Sequence, residues 1–477
     1  MRRWGPLLGI CLGAFMLLMD VTITTVAMPA IGRGLHASFS ALQWVLDGYA
    51  LALAALMLGV GSLADLFGRR AVYLAGIAVF AAASLACALA PDPGVLVAAR
   101  VVQGAGGAAM FATTVALITA TYEGRDRGVA FGVWGAVNGG AAAAGPLLGG
   151  VLVAHIGWRA IFWVNLPVTV VAVVITVATI RESRDPAARR LDLPGMVVFT
   201  AAMSAIVYAL SRAESDGWAA PHIVGTLAGG VTLLVVFAII ERRSAHPMLD
   251  PGLFRGRAFT GIMLAALVVQ GSAFGYLVYT SLWLQSVLRL GAVRAGLALV
   301  PLAVTAFVVS AVAGRYLHGR APGPVIAVGA LLVGAGAFAQ AGLDAGSSAN
   351  ALLPGLVIAG VGVGLATPVL VSAAMAAAPA ERAGMAGGAV NTVRQFGFAV
   401  GVALFGTVFQ ARAGHAPSGA RDAGAFAAGL DHVYLAAGIG GVVASALVLA
   451  LVRGRAAAAA VGSRDGDRAG DADRARL

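Results

Sequence analysis

The chain is built from one unit repeated along its length: a run of about twenty mostly apolar residues closed by a short polar break, the length that crosses a bilayer as a helix. Such runs fall at 6–29, 43–64, 71–90, 94–119, 129–153, 160–180, 194–212, 222–240, 258–284, 295–313, 323–342, 351–375, 388–410 and 433–452. With 60% hydrophobic and 11% charged residues, against about 25% charged in soluble domains, a soluble multi-domain fold is excluded. The runs are unbroken and do not alternate with period two, which excludes a transmembrane β-barrel. The expectation is an all-α membrane protein of fourteen spans, its 65 glycines allowing close helix packing.

Charge supports the same reading. The net charge is +11 and every basic residue is Arg, a bias that reads as genome composition. The arginines punctuate the spans and form no aromatic-interleaved patch, so no nucleic-acid partner is expected. With a cytoplasmic N-terminus, 23 of the 32 arginines fall on inner segments, seven on outer ones, and Arg100 and Arg394 within spans. Both termini are therefore expected in the cytoplasm. The first run contains Asp20 and ends at Met28-Pro29 without a cleavage motif, so it reads as a span and not a signal peptide. The mixed-charge segment 453–477 offers no apolar face and is expected to be a disordered cytoplasmic tail.

Two cysteines, Cys11 and Cys87, have no paired spacing, and the seven histidines (His36, His155, His222, His246, His318, His415, His432) are scattered at loops and span ends. No metal, disulfide, cofactor or catalytic cluster is indicated, and an enzyme is not expected.

An offset of 256 relates Gly104 to Gly360, Gly106 to Gly362, Gly128 to Gly384, Gly132 to Gly388, Gly145 to Gly401 and Gly150 to Gly406. The expected organisation is a six-span half at 1–182, an inserted two-span linker at 183–243, and a second six-span half at 244–452. Two similar halves around a midplane site is a plan common among secondary transporters.

The few charges within spans are the most informative positions, because an acid at the bilayer centre costs about 2.5–3.5 kcal/mol on insertion scales. Asp20 lies in Leu18-Met19-Asp20-Val21-Thr22 and Asp47 lies about one turn into span 2. Either acid could instead be structural, bonded to a neighbouring span or solvated near the interface. Arg100 heads Arg100-Val101-Val102-Gln103-Gly104, and its offset partner is Leu356, so this charge belongs to the first half alone. Carbonyls or a single acid could satisfy it, or it could serve coupling. In Gly61-Ser62-Leu63-Ala64-Asp65-Leu66-Phe67-Gly68-Arg69-Arg70, Asp65 beside Arg69 and Arg70 suits a tight turn with an ionic latch, echoed weakly at 314–320 with His318. Gly145-Pro146-Leu147-Leu148-Gly149-Gly150 marks a bend and close-packing site in span 5. Gln270, Phe274, Tyr276, Tyr279 and Trp283 on span 9 are candidates to line a cavity and offer ring faces to a cation.

Together these stretches resemble the fourteen-span drug:proton antiporters of the major facilitator superfamily. Residues 18–22 are similar to that group's span-1 signature, 61–70 to its loop motif, 100–106 to its span-4 motif, 145–150 to its antiporter motif, and 158–167 to the opening of its span 6. The resemblance implies a multi-pass protein of the bacterial plasma membrane, without a cofactor and expected as a monomer, that exports small hydrophobic or cationic compounds in exchange for protons. It implies proton exchange at Asp20 and Asp47, a coupling role for Arg100, and a latch made by Asp65, Arg69 and Arg70. Leu66 departs from the usual basic residue of the loop motif, and the spans read in the second half carry no Asp or Glu. The second departure favours neutral or monocationic antibiotics over dications. A proton-coupled importer or a narrow-specificity metabolite exporter is the alternative within the same fold.

Overall fold

The computed structural model describes residues 3–184, 192–244, 247–316, 320–344, 346–379, 382–413 and 423–452, and every regular element among them is helical. The α-helices in chain order are α1 (Gly5–Leu35), α2 (Phe39–Phe67), α3 (Arg69–Leu89), α4 (Pro93–Thr121), α5 (Gly124–His155), α6 (Ala160–Trp163), α7 (Asn165–Thr179) and α8 (Leu193–Asp216). They continue as α9 (Pro221–Arg243), α10 (Arg257–Phe274), α11 (Leu277–Leu282), α12 (Ala292–Tyr316), α13 (Pro322–Phe338), α14 (Leu353–Ala376), α15 (Ala383–Ala413) and α16 (Ala423–Leu451). Side-chain caps set several boundaries. Ser38 accepts from Ala41 N at 3.2 Å, Asp92 from Val95 N at 3.0 Å and Asp192 from Gly195 N at 2.8 Å, each satisfying an N–H that the first helical turn leaves open.

Twelve helical segments among the described residues are long and apolar enough to span a membrane, where the sequence reading expects fourteen. The apolar helix Pro322–Phe338 has 17 residues and falls short of the length required, and α5 is not among the twelve. Two expected spans are also interrupted. The run 160–180 divides into α6 and α7 at Val164, and the run 258–284 divides into α10, α11 and a π-helical turn over Trp283–Val287. Of the expected organisation, residues 185–191, 245–246 and the tail 453–477 lie outside the described residues.

The internal repeat is visible as packing. A Cβ on Gly76 of α3 would sit 3.0 Å from both the Gly106 carbonyl and Met110 N of α4. On Gly329 of α13 it would sit 2.9 Å from both the Gly362 carbonyl and Ala366 N of α14. Backbones meet at the same step in both places, and only glycine permits it. Gly145 of α5 packs on the α1 backbone, and its offset partner Gly401 of α15 packs on Gly271 of α10.

Between the two repeats lie α8 and α9, which pack on each other through Gly230 and Ile206. Helix α8 also bridges α2 and α15: Met196 covers Gly59, Thr200 donates to the Ala55 carbonyl, and Ile206 and Leu210 meet Ala403.

One end of the bundle gathers the arginine-rich turns, with Arg3 paired to Asp126 and Arg382 paired to Asp250. Helices of both repeats share one apolar core that includes Met110, Val115, Phe131 and Trp134 together with Leu370, Ala374, Ala386 and Val390. Toward the opposite end the repeats have separate cores, one around Ile31, Val45 and Phe162 and the other around Tyr276, Trp283 and Phe409. A cavity of about 580 Å³ lies between them there, lined by Val26, Gly150, Arg289, Val293 and Arg294 among others.

Candidate functional site

Asp20 sits in the middle of α1 with no exposed surface. Its carboxylate pairs with Arg100 of α4. The other oxygen accepts from Gln103 Nε2 at 3.1 Å and from Asn165 Nδ2 at 2.8 Å. Arg100, equally buried, donates through Nε to the Val45 carbonyl at 3.0 Å and through Nη1 to Gln103 Oε1 at 2.7 Å. Its guanidinium lies 4.2 Å from the Tyr49 ring centroid, within cation–π range. Ser84 of α3 closes the cluster, accepting from Asn165 at 2.9 Å and Gln103 at 3.3 Å while donating to the Phe162 carbonyl at 3.1 Å.

Groups from five helices thus converge around one fully buried carboxylate. The local sequence explains the convergence. Gly104 lets α4 approach the α2 backbone at Tyr49, which seats Arg100 over the ring. The break before α7 places Asn165 in its first turn, with the side chain turned inward. Desolvating both charges is expensive, so such a pair is weak evidence for stability alone; removing one partner from it costs about 3–5 kcal/mol. Sequence reasoning put Asp20 and Arg100 forward separately and left their separation open. Gln103 and Asn165 were legible only as members of motifs, and Ser84 carries no sequence signal beyond being a serine in an apolar run.

The other expected residues lie elsewhere. Asp47 shares a face of α2 with Trp44 and Leu51, toward α8, and the charge acting on it is Arg212 of α8. Arg212 stands 5.6 Å over the Trp44 ring, which in turn lies 5.7 Å from Tyr208 of α8. Asp47 therefore faces the inserted helices and not Asp20.

At the latch, Arg69 donates to Asp65 Oδ1 through Nε at 3.0 Å and Nη2 at 2.9 Å. Arg70 instead reaches the Val177 carbonyl at the end of α7. Glu182, which sequence reasoning missed, accepts from Arg70 N and Ala71 N at 3.0 Å each and closes the start of α3. Gly68 has φ +115° and faces the Glu182 carboxylate, so a side chain is excluded by conformation and by space. Gly68→Ala is expected to destabilise by more than about 1 kcal/mol. Gly61→Ala, in the same motif but with open space around it, is expected to be neutral or to stabilise by up to about 1 kcal/mol. Thermal unfolding of the purified protein in detergent checks the contrast.

Gly145 and Gly149 of α5 pack on α1 at Met19 and Ile23, directly beside Asp20, while Gly150 faces Val293 of α12. Pro146 lies in the same helix. Tyr276 is fully buried inside the second repeat against Tyr434 at 5.5 Å, and Gln340 donates to its hydroxyl at 3.2 Å. Asp20 of the first repeat thus corresponds, at offset 256, to Tyr276 of the second. Tyr279 is buried too, stacked on Phe409 and donating to the Val402 carbonyl at 2.8 Å, and Trp283 is fully enclosed. Phe274 and Gln270 are half-buried, and Gln270 accepts from Arg394 Nε at 3.1 Å. Helix α16 begins earlier than the expected span and takes in Asp431, which accepts from Gly342 N and Leu343 N at 3.0 Å each. His318 lies outside the described residues.

Two related helical bundles, the first enclosing an acid–guanidinium pair, are the architecture of a membrane transporter. The chain belongs to the Major Facilitator Superfamily, whose family model matches residues 10–402. It is 38% identical over 413 residues to the puromycin resistance protein pur8 of Streptomyces alboniger, covering 85% of this chain and 82% of that one. It is 37% identical over 403 residues to the multidrug resistance protein Stp of Mycobacterium tuberculosis, covering 84% and 74%. It is 34% identical over 417 residues to the tetracenomycin C resistance and export protein of Streptomyces glaucescens, covering 87% and 77%. The crystal structure of the human organic anion transporter MFSD10 (TETRAN) superposes with a TM-score of 0.65 at 13% identity, covering 94% of this chain and 100% of that one, a likeness of fold alone.

Proposed function

We propose that the chain is a proton-coupled efflux antiporter of hydrophobic drugs or antibiotics in the bacterial plasma membrane. The observation that carries this reading is the buried pair of Asp20 and Arg100, a carboxylate on α1 bonded to α4 and α7 at the centre of a five-helix polar cluster. The names of its relatives, resistance and export proteins, support the outward direction of transport. Protonation of Asp20 removes the charge that holds Arg100, leaving the guanidinium to the Val45 carbonyl, Gln103 and the Tyr49 ring. Helix α1 is then free to move relative to α4 and α7. Helix α5, packed on α1 through Gly145 and Gly149 and on α12 through Gly150, carries that movement to the second repeat.

The proposed topology has fourteen spans, with halves at 1–182 and 244–452, an insert at 183–243, and both termini in the cytoplasm. At about 1.5 Å per residue, the 32 residues of α5 exceed a hydrocarbon core of about 30 Å. The 17 residues of α13 reach most of the way across. In this orientation the arginine-rich end is cytoplasmic, and the cavity at the other end opens outward. Asp47 is proposed as a second proton site, read out through Arg212, and Asp65 with Arg69 as the cytoplasmic latch. Proton number decides the driving force: one pH unit supplies about 1.4 kcal/mol per proton, and 100 mV supplies about 2.3 kcal/mol per net charge moved. One proton against one monocation is blind to voltage, whereas two protons are not.

The test uses everted vesicles acidified inside and offered ethidium, rhodamine 6G and puromycin in turn. At least one compound is expected to release protons only where the protein is present. Accumulation of a compound without proton release would leave an exporter and remove the proton coupling.

A further inference from the structure

Two guanidiniums are buried among the described residues, and they differ in one respect: Arg100 has a carboxylate and Arg394 does not. Arg394 lies in the middle of α15 with 7% of its surface exposed. Its partners are neutral amides, Gln270 of α10 at 3.1 Å from Nε and Asn391 of α15 at 3.3 Å from Nη1. No carboxylate among the described residues lies within ion-pair distance of it. Both amides present their oxygens to the guanidinium, which leaves their NH2 groups as the spare valences. Asn391 is fully buried and its Nδ2 has no partner. The cluster therefore offers donors and lacks an acceptor. At the equivalent register of the first repeat, Asn138 of α5 is also buried, with neither amide atom partnered.

A guanidinium stays charged at any physiological pH, and a buried charge without a counter-charge costs several kcal/mol. A ligand that brings an anionic group relieves that cost and takes up the spare donors as well. We infer that Arg394, Asn391 and Gln270 form the binding subsite for an acidic group, a carboxylate or an ionised phenol, on an otherwise hydrophobic substrate. Arg394 supplies the charge with planar donors suited to a carboxylate. The amides hold it in place and add neutral donors. This subsite deepens the efflux reading and rests on it. It departs from the neutral or monocationic substrates expected from the sequence, because the one acid buried in the first repeat is already committed to Arg100.

The experiment measures binding to the purified full-length protein of two dyes that share a xanthene frame and differ in charge, fluorescein (anionic) and rhodamine 6G (cationic). The wild type is expected to bind fluorescein at least ten-fold more tightly than Arg394→Gln does, with rhodamine 6G binding not weakened by the substitution. Arg394→Lys is expected to fall between them, because it keeps the charge and loses the fork. Gln270→Glu provides a variant that should fold at least as well as the wild type, since it gives the buried cation an internal counter-charge. It is expected to raise the thermal midpoint and to lose fluorescein binding. Equal fluorescein binding by the wild type and Arg394→Gln, including none by either, overturns the subsite. So does undiminished fluorescein binding by Gln270→Glu. Proton release driven by the other compounds in vesicles would stand in those cases, so failure of the subsite and failure of the efflux reading remain distinct.

Discussion

Asp20→Asn is expected to abolish substrate-driven proton release and to destabilise the protein more than Arg100→Gln does. The order follows from what each substitution leaves behind. Asparagine at position 20 keeps the shape and can still accept from Asn165 and Gln103, but Arg100 is left as a buried cation that cannot neutralise itself. The cost of stripping a buried pair in that way is about 3–5 kcal/mol. Glutamine at position 100 leaves a carboxylate, which escapes the same penalty by taking up a proton, so its loss of stability is smaller. The double variant Asp20→Asn/Arg100→Gln should recover most of the stability without recovering transport, because no charge remains to be desolvated and none remains to be exchanged. Thermal unfolding of the four proteins completes a double-mutant cycle, and the vesicle assay gives the functional arm. A stable and fully coupled Asp20→Asn protein would make the pair structural and return the search for the coupling acid to Asp47. If Arg100→Gln proved the more damaging single change, the account of which partner is held at cost would be wrong.

Asp20 and Arg100 were legible because lipid tolerates so few charges that each one in a span demands a reason. Their meeting was not legible, since the distance between α1 and α4 is a property of packing. The same limit applies to Asp47. Its position one turn into α2 was readable, but which neighbour it faces depended on where α8 docks, and α8 has no counterpart in either repeat to argue from. Tyr276 shows the reach and the limit of the repeat. The offset of 256 pairs it with Asp20, as it pairs Arg100 with Leu356, yet it could not reveal that Tyr276 is sealed within the bundle with Gln340 donating to its hydroxyl. The match of Gly76 to Gly329 escaped the offset because that register is shorter by three residues between α3 and α13. Arg394 was visible as an arginine inside a span. That it has no acid is a statement about every helix around it, which no single stretch of sequence contains.

Gly145→Ala is expected to cost about 1–3 kcal/mol as an overpacked contact and to remove coupled transport, although it adds one methyl group and changes no charge. A Cβ at position 145 would stand 2.9 Å from Met19 O and from Ile23 N, and it would also press on the Thr22 hydroxyl. Two of these three neighbours are backbone, so the contact cannot be relieved by a rotamer change, and α1 must move away from α5. Asp20 lies on the same turn of α1 as these contacts. Its bonds to Asn165 at 2.8 Å and Gln103 at 3.1 Å lie within the usual N–H···O range of about 2.7–3.2 Å, so a shift of a few tenths of an ångström is enough to carry the longer of them beyond it. Gly140→Ala tests whether the effect belongs to the site or to the helix. It lies in the same helix, with no atom within 4 Å of the added Cβ, and should be neutral or stabilise by up to about 1 kcal/mol. Both proteins are compared in thermal unfolding and in substrate-driven proton release. Equal activity of the two variants would show that the close approach of α5 to α1 is dispensable for coupling. Loss confined to Gly145→Ala would assign to that approach the transmission of the state of Asp20 to α12, because α5 is the helix that touches both.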